Sequence, residues 1–424
     1  MSNFTRLGTY GLLLVTLLNG HELAFSGGFM IPHQTARALS LSNAMTAGVD
    51  DASAVYYNPA ALSEVVGNNL LLNGMYVGVV SSVENSGRAA VNKHDDNFLA
   101  SLFANYHIPG TDITVGIGTY TPFGLATTYE RDFTRFAAER TELRTLYVTP
   151  SVSWHPSPIL SIGAGASFVH ASGLFSRSLC FNTLACTFAP GAAEAHLRVT
   201  DTTNAFAYNV GLLIKPLHNW KFGFSYRGRT DIQFDDADAK LGGVLGGQKV
   251  KADVQPLPLP PVINAGAHWQ ITPAWGAELV YEFTRWSEFK TFKATFKSGP
   301  LPGFNLPQNW KDTSTVRFGS HYSLTKNIEL RGGLAVEETP IPNGTQNPSI
   351  PDADKLTLNV GIGYKWEKFS FDLGYQAVLY KTRRITNNEL EGTPATGIPF
   401  AGAPGKDKYE TFNNFAIVSV GYRF

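Results

Sequence analysis

The stretch LTLNVGIGYKW at residues 356–366 decides the fold, because its side chains alternate strictly in character. Leucine, valine, isoleucine, tyrosine and tryptophan occupy every second position, and threonine, asparagine, glycine and lysine lie between them. Successive side chains of a β-strand point to opposite faces, so this segment has one apolar face and one polar face. Residues 369–379 and 416–424 follow the same pattern. Alternation over about ten residues is typical of a strand that crosses a membrane, with lipid outside and a polar lumen inside.

The connections between strands distinguish a barrel from a soluble β-sandwich, whose strands alternate as well. Short links alternate along the chain with long stretches rich in glycine, proline and polar residues; examples are the short links Pro109-Gly110, Thr272-Pro273 and Glu367-Lys368 and the long stretches 122–142, 297–312 and 383–410. An up-and-down barrel produces this alternation, because tight turns lie at one rim and long external loops at the other. The sequence therefore predicts an all-β fold, a transmembrane antiparallel up-and-down β-barrel of about fourteen strands.

The N-terminal part of the chain predicts an exported protein with a plug. Arg6 precedes an apolar run at residues 10–18, and the small residues Ala24 and Ser26 follow it, as in a secretory signal peptide. The run is shorter than the roughly twenty apolar residues that a transmembrane helix needs. The next segment fits no strand and is rich in Ala, Ser, Gly and Asn. We expect a signal peptide at residues 1–26, a hatch inside the lumen at 27–68 and a barrel at 69–424.

The composition excludes several classes of function. Lys plus Arg and Asp plus Glu are equal at 34 each, so the chain lacks the basic excess that nucleic-acid binding requires. No G-x-S-x-G, H-E-x-x-H or P-loop motif occurs, so we expect neither an enzyme nor a cofactor. Two cysteines alone cannot form a structural zinc site. Cys180 and Cys186 either form a disulfide in an oxidising compartment or remain two unpaired thiols in a loop.

The order of its short motifs makes the sequence resemble the FadL family of outer-membrane fatty-acid and hydrocarbon transporters. These motifs run through nearly the whole mature chain and are Gly28-Phe29, Asp50-Asp51-Ala52, Asn58-Pro59-Ala60, Phe123-Gly124-Leu125-Ala126-Thr127, Ser225-Tyr226-Arg227, Trp286-Ser287-Glu288-Phe289, Trp310-Lys311-Asp312 and Ile350-Pro351-Asp352-Ala353-Asp354. The resemblance implies a fourteen-stranded barrel closed by an N-terminal hatch, with an apolar ligand pocket behind the external loops. It also implies that ligand leaves sideways, through a gap in the wall where the third strand kinks.

The resemblance gives two segments a part in opening this path. It makes Asn58, Pro59 and Ala60 the hatch motif whose rearrangement accompanies ligand release. It places Thr121, Pro122, Phe123 and Gly124 at the kink that forms the lateral gate. Proline removes a ladder hydrogen bond and glycine permits unusual dihedral angles, so a barrel wall could part there. Without the resemblance, Asn58-Pro59 would indicate only a turn, and Pro122 only the end of a strand.

Two cations are predicted to bind the carboxylate of a fatty acid. The resemblance places Lys311 at the ligand head group, and it makes Arg177, in a more divergent loop, a second candidate. A fatty-acid site needs apolar walls for the tail and one charge for the head, and Phe123 is a candidate for those walls. The alternative for each cation is an exposed loop charge, or for Lys311 a surface pair with Asp312.

The predicted function is passive uptake of hydrophobic compounds, most of all long-chain fatty acids, through the outer membrane of a Gram-negative bacterium. An aromatic-hydrocarbon channel of the same family is the main alternative, and a general diffusion porin or an adhesin are others. The expected partners are the hydrophobic ligand and the surrounding outer-membrane lipid and lipopolysaccharide, and the barrel is expected to be a monomer. Lys311 favours the fatty acid, because a neutral hydrocarbon gains nothing from a buried cation.

Overall fold

The computed structural model of the chain describes residues 27–85, 87–93, 97–130, 133–180, 194–299, 303–388 and 407–424. The predicted signal peptide and Cys186 lie outside these ranges, and so does the predicted disulfide. The strands are β1 (Asn69–Asn85), β2 (Arg88–Val91), β3 (Asn97–His107), β4 (Ile113–Tyr120), β5 (Gly124–Thr128), β6 (Arg140–Ser157), β7 (Leu160–Cys180), β8 (Glu194–Leu217), β9 (Trp220–Arg227), β10 (Thr230–Gly243), β11 (Gln248–Leu259), β12 (Val262–Thr272), β13 (Trp275–Thr284), β14 (Thr291–Phe296), β15 (Phe304–Pro307), β16 (Thr313–Ser323), β17 (Ile328–Glu337), β18 (Lys355–Trp366), β19 (Phe369–Tyr380), β20 (Arg383–Ile385) and β21 (Asp407–Arg423). The helices are α1 (Ala36–Ser40) and α2 (Ala54–Tyr57), with 3-10 helices at Pro59–Glu64, Phe133–Phe136, Trp286–Glu288 and Asn343–Thr345.

These strands form one closed antiparallel barrel of fourteen strands, which confirms the predicted fold class. Some of the fourteen consist of two named pieces, such as β4 with β5 and β9 with β10. The barrel closes between its first and last strands, where β1 pairs with β21 from Asn69 opposite Arg423 to Asn85 opposite Asp407. Closure leaves no sheet edge exposed to lipid, so the backbone polar groups of the wall find partners within it.

The outer face of the wall is apolar and the inner face is polar, as the alternation predicts. On β18, Leu358 and Val360 are 46% and 60% exposed, whereas Thr357 and Asn359, which alternate with them, are only 2% and 3% exposed. The exposed side chains face the surrounding lipid, and the buried ones face a filled lumen. No helix among the described residues is long and apolar enough to cross a membrane.

Candidate functional site

Residues 27–65 are almost entirely buried within the barrel and residues 66–68 lead from them to β1; we call residues 27–68 the hatch segment. Helix α1 packs against β18, β19 and β21. On β18, Asn359 donates from Nδ2 to the carbonyl oxygen of Leu39 at 2.5 Å and accepts a hydrogen bond from Ser42 Oγ at 2.6 Å. The backbone N–H of Ala36 donates to Ser419 Oγ on β21 at 2.9 Å. The polar face of the alternating strands therefore supplies the hydrogen-bond partners of the hatch segment.

The predicted hatch motif lies at the contact between the hatch segment and β6 to β8. Asn58 is fully buried, and its Nδ2 donates to the carbonyl oxygens of Thr46 at 2.7 Å and Leu212 at 3.1 Å. Its Oδ1 accepts the N–H of Ala60 at 3.2 Å, so Asn58 caps the 3-10 helix that Pro59 begins. Gly211 of the barrel wall lies opposite this motif. A side chain would not fit there, because a Cβ atom on Gly211 would lie 2.0 Å from Asn58 Oδ1. Whether this motif moves during transport stays a prediction.

A buried carboxylate of the wall holds the next part of the hatch segment. Glu278 on β13 is 4% exposed and accepts three consecutive backbone N–H groups. The N–H groups of Thr46 and Ala47 lie 2.7 Å from its Oε1, and that of Gly48 lies 2.8 Å from its Oε2. Thr46 is thus held on both sides, by Glu278 at its N–H and by Asn58 at its carbonyl. Hydrogen bonds to an ionised acceptor are roughly twice as strong as neutral ones, so Glu278 is a principal anchor of the hatch segment.

Further buried charges beside the hatch segment form ion pairs across neighbouring strands. Arg317 on β16 donates to Glu282 at 2.9 Å and to Glu337 at 3.0 Å. Arg331 on β17 likewise donates to Glu329 and to Asp372, both at 2.6 Å. The side chains of both arginines and of their four partners are at most slightly exposed. The lumen at this level is therefore both filled and highly polar.

The barrel wall is interrupted at the predicted kink. Residues 121–123 separate β4 from β5, and β5 pairs with β6 but not with β3 among the described residues. On the other side, β3 pairs with β4 only as far as Leu102 opposite Thr119, which leaves Asn97–Ser101 bonded to β1 alone. The pairing resumes at the outer rim, where Asn92 lies opposite Tyr129. We call the opening between Asn97–Ser101 and Gly124–Thr128 the wall gap.

The start of the hatch segment covers the wall gap from inside. The N–H of Ile31 donates to the carbonyl of Pro122 at 2.8 Å, and the N–H of Gly124 donates to the carbonyl of Phe29 at 3.0 Å. Met30 and Phe123 therefore lie directly opposite each other, as a short antiparallel bridge. The hatch segment supplies the backbone partners that a neighbouring barrel strand would otherwise supply, so the gap and the hatch segment are physically coupled.

A cavity of about 480 Å³ extends through the wall gap. Its inner lining includes Lys355, whose Nζ lies 2.5 Å from Asp352 Oδ1, and its outer lining includes Phe98 and Leu146. Both Phe98 and Leu146 face the lipid, at 75% and 45% exposure. The cavity therefore joins the lumen to the outer surface of the barrel at this point. Asp352 also accepts the N–H of Gly28 at 3.1 Å, which ties the hatch segment to the cavity.

Phe29 of the hatch segment is enclosed by an aromatic box. Its ring centroid lies 4.9 Å from that of Trp286, 5.6 Å from that of Trp310 and 6.3 Å from that of Phe289. Phe123, a predicted ligand-binding residue, completes the box at 6.2 Å and is 1% exposed. Edge-to-face packing of this kind stabilises aromatic pairs by about 0.5–1.5 kcal/mol beyond the burial of their surface. The box therefore holds the start of the hatch segment in place.

An apolar pocket of about 110 Å³ lies on the external side of this box. Phe175, Phe234, Phe292 and Phe304 line it. Arg177, the second predicted carboxylate ligand, is buried at 1% exposure with its guanidinium 4.7 Å from the centroid of Phe304. Its Nε and Nη1 have no hydrogen-bond partner in the described part of the chain. The structure thus brings Arg177 next to an apolar pocket, as a head-group role requires.

Lys311 lies elsewhere. Its side chain is exposed, and it lines neither the pocket nor the cavity. Its backbone N–H donates to the carbonyl of Pro340 at 2.9 Å, and the preceding Trp310 is buried in the aromatic box. The chain at this point is a loop outside the strands, in which Trp310 is buried and both Lys311 and Asp312 are exposed. The arrangement agrees with the alternative of an exposed loop charge, and contact between Lys311 and a ligand stays a prediction.

The sequence did not predict the roles of Glu278 and Lys355 or the packing of Phe29 in the aromatic box. Glu278 and Lys355 occupy inward positions of alternating strands, so their lumenal placement was readable from the sequence. Their partners in the hatch segment and in the loop before β18 were not readable, because those contacts join residues far apart in the chain. No group of three or more His, Cys, Asp or Glu in the described ranges is placed to hold a metal ion.

A closed fourteen-stranded barrel with an apolar outer face, a filled lumen and a gap in its wall defines the chain as a plugged outer-membrane β-barrel. Residues 18–411 match the family described as outer membrane protein transport protein (OMPP1/FadL/TodX). The chain belongs to this family, and it is a transporter of hydrophobic substrates in the outer membrane of a Gram-negative bacterium. The resemblance seen in the sequence is thereby confirmed.

Two relatives in sequence align with most of the chain. The chain is 22% identical over 410 residues to a "Long-chain fatty acid transport protein" of Escherichia coli, covering 88% of this chain and 91% of that one. It is 24% identical over 411 residues to "Outer membrane protein P1" of Haemophilus influenzae, covering 86% and 88%.

Solved structures share the fold at low sequence identity. A FadL homologue of Pseudomonas aeruginosa superposes with a TM-score of 0.81 at 19% identity, covering 94% of this chain and all of that one. The toluene transporter TodX of Pseudomonas putida superposes with a TM-score of 0.74 at 17% identity, covering 95% of this chain and all of that one.

Proposed function

We propose that this transporter takes up long-chain fatty acids by passive diffusion, with Arg177 binding the carboxylate. The observation that carries the proposal is the buried charge of Arg177, which has no ion pair among the described residues, beside an apolar pocket. Burying a cation without a counter-charge costs several kcal/mol, and a ligand that brings a carboxylate would offset that cost. A neutral hydrocarbon would leave the cation unpaired, so the site favours a ligand with an anionic head and an apolar tail.

The acyl chain requires more space than the apolar pocket alone provides. At about 110 Å³ the pocket is smaller than the 300 Å³ or so that a drug-sized ligand usually occupies. Phe29, Leu125, Leu143 and Ile350 line both this pocket and the larger cavity, so they form the partition between the two. Displacement of Phe29 from its box would join the two spaces and admit a long tail.

The same displacement would open the route outward. Phe29 and Ile31 provide the backbone hydrogen bonds that cover the wall gap, so withdrawal of residues 29–31 uncovers it. In the other direction the lumen contains the hatch segment and paired charges such as Arg317 with Glu282. An apolar chain gains nothing by entering that layer, whereas the wall gap opens toward lipid. We therefore propose lateral exit between β3 and β5.

Uptake of an aromatic hydrocarbon is a second candidate, favoured by one observation. The box of Trp286, Trp310, Phe289 and Phe123 surrounds the phenyl ring of Phe29, and a benzene derivative has the same shape. The solved structures named above include a toluene transporter, whereas a relative in sequence is named as a fatty-acid transporter. The absence of charge from the box means that its affinity for a hydrocarbon would not depend on Arg177.

The test is displacement of a fluorescent long-chain fatty acid from the purified barrel, compared between the native protein and Arg177→Gln. Loss of a charged hydrogen bond predicts affinity about 10- to 100-fold weaker for the fatty acid. The corresponding fatty alcohol and toluene are run as competitors on both proteins. Arg177→Lys is the matched control, because it keeps the charge.

If toluene displaces the probe and the fatty acid does not, the aromatic-hydrocarbon candidate replaces the fatty-acid proposal. Equal fatty-acid affinity in the native protein and in Arg177→Gln would remove Arg177 from the site, whatever the substrate.

A further inference from the structure

Three cations form a row on the outer face of the extended hairpins above the barrel. Lys240 on β10 lies directly opposite Arg198 on β8 and, on its other side, directly opposite Lys249 on β11. Directly paired residues of neighbouring strands share a face of the sheet, and all three side chains are exposed. We call Arg198, Lys240 and Lys249 the basic row.

The basic row forms no ion pair in the described part of the chain, although Lys251 and, more weakly, both lysines of the row lower the pKa of the Asp238 carboxyl. None of its three residues takes part in a hydrogen bond or an ion pair there. Residues 244–247, which connect β10 to β11, contain no aspartate or glutamate, and neither do residues 181–193, which follow β7 in the sequence. Like charges directly opposite each other destabilise a strand pair, so the row carries an electrostatic cost that no ion pair among the described residues offsets.

The acidic residues nearest to the row are already paired. Asp238 lies one step below Lys240 on the same face, and its carboxylate is 2.7 Å from Lys251 Nζ. Lys297 lies 2.5 Å from Asp236 and 3.0 Å from Asp253. Charges are therefore balanced lower on this face, and the positive excess is confined to the basic row above them.

The height of the row above the membrane identifies the anions that surround it. On β8 the lipid-facing apolar residues end at Phe206, which is 79% exposed, and Arg198 lies eight residues further toward the external end. At about 3.3 Å per residue and a tilt of about 40°, the row stands roughly 20 Å above the apolar band. That distance lies beyond the acyl chains and among the sugars of the outer leaflet, where the abundant anions are phosphate groups of lipopolysaccharide.

We propose that the basic row binds phosphate groups on the core sugars of lipopolysaccharide. Three cations in one line fit a ligand with several phosphates, and such a ligand removes the repulsion within the row. The interaction fixes the β7–β8 and β10–β11 hairpins to the surrounding lipid layer. It is independent of the proposed function, because no residue of the row lines the pocket or the cavity.

The experiment measures binding of fluorescent lipopolysaccharide to the full-length barrel in detergent. The variant is the triple substitution Arg198→Glu, Lys240→Glu and Lys249→Glu. Its control is Lys326→Glu, Lys365→Glu and Lys368→Glu, which makes the same change of charge at exposed lysines of the opposite rim. Heat-modified migration in gels and fatty-acid binding show whether each variant remains folded.

We expect the row variant to bind lipopolysaccharide with a phosphorylated core about tenfold more weakly, and the control to bind it as the native protein does. The difference in affinity between the row variant and the native protein should become smaller when salt is raised from 0.15 M to 0.5 M, because salt screens exposed charges. Deep-rough lipopolysaccharide has lipid A phosphates but no core phosphates. It should bind equally well to the row variant and to the native protein. Equal binding of the phosphorylated form by the row variant and the native protein would overturn the proposal. A tenfold loss that also appears with the deep-rough form would overturn its assignment to the core.

Discussion

Arg317, beside the hatch segment, and Arg177, beside the apolar pocket, are both fully buried, yet their surroundings differ. Arg317 lies between two carboxylates, at 2.9 Å from Glu282 and 3.0 Å from Glu337. Arg177 has no ion pair among the described residues and rests on the ring of Phe304. Burial near the external loops does not by itself prevent pairing, because Arg135 in that region contacts Glu194 through three hydrogen bonds.

The difference separates charges that hold the structure from a charge that is available to a ligand. A buried ion pair costs desolvation on both sides and recovers it only when its geometry is good, as it is around Arg317. An unpaired buried cation recovers much less, through contact with an aromatic ring. Beside the apolar pocket, Arg177 is a charge without an ion pair among the described residues, whereas Arg317 and Arg331 beside the hatch segment both have carboxylate partners.

The largest expected effect concerns stability and tests this comparison directly. Arg317→Met leaves Glu282 and Glu337 buried without a counter-charge, which should lower the free energy of unfolding by about 3–5 kcal/mol. Arg177→Met removes a charge that has no ion pair among the described residues, so the stability of this variant should equal or exceed that of the native protein. Urea unfolding in lipid vesicles measures both.

The two methionine variants serve as controls for each other, because each replaces a buried arginine with the same side chain. Equal destabilisation by both would contradict the comparison, since it would mean that Arg177 is paired in the folded protein.

The next effect concerns the coupling between the hatch segment and the wall gap. Met30 and Phe123 form a bridge whose flanking hydrogen bonds make it a non-hydrogen-bonded pair, with Cα atoms typically about 4.5 Å apart. That spacing suits a disulfide. In a background with serine at positions 180 and 186, Met30→Cys with Phe123→Cys should reduce fatty-acid uptake at least tenfold when oxidised, because residues 29–31 can no longer leave the gap.

Addition of dithiothreitol should restore uptake to the level of the two single-cysteine variants, which control for the loss of each side chain. Unchanged uptake by a fully oxidised double variant would exclude movement of residues 29–31 from the transport route.

A smaller effect is expected at Glu278. Glu278→Gln keeps the shape of the side chain, but its amide has a single acceptor oxygen. The two hydrogen bonds from Thr46 and Ala47 become weaker and the one from Gly48 is lost, which costs about 1–3 kcal/mol in the attachment of the hatch segment. Ion conductance through single barrels in planar bilayers should rise, because a loosened hatch segment admits water. Glu142→Gln is the control, since Glu142 pairs with Arg140 and Arg144 and does not contact the hatch segment. Equal conductance of the two variants would show that Glu278 does not hold the hatch segment closed.

The barrel was predictable from the sequence because each strand carries its own evidence. Lipid on one side and a polar lumen on the other impose alternation on every strand, so residues 356–366 alone reveal the two faces. The break at residues 121–123 was also predictable, since proline cannot donate to a ladder and glycine follows it two residues later. The pairing that is missing beyond the break was not predictable, because it depends on where β3 ends its contact with β4.

The candidate site was only partly predictable, because it depends on contacts between distant residues. Thr46 meets Glu278 across 232 positions of the chain, and no local pattern indicates that pair. Arg177 was identified by resemblance, but its isolation follows from the neighbours that the fold gives it. Lys311 was also identified by resemblance, but its exposure follows from the loop that buries the neighbouring Trp310, and no local pattern indicates it.

The smallest expected effect is at Lys311, and it tests whether the exposure of this side chain keeps it from binding the ligand head group. The exposed side chain of Lys311 makes no contact with the apolar pocket, so Lys311→Ala should change fatty-acid affinity less than threefold, within the roughly 0.5 kcal/mol typical of surface substitutions. Arg177→Gln, measured in the same displacement assay, provides the contrast. A loss of tenfold or more in Lys311→Ala would mean that Lys311 turns inward when ligand binds, and the head group would then be shared between two cations. A loss confined to Arg177→Gln would leave Arg177, a buried cation with no ion pair among the described residues, as the determinant of carboxylate binding.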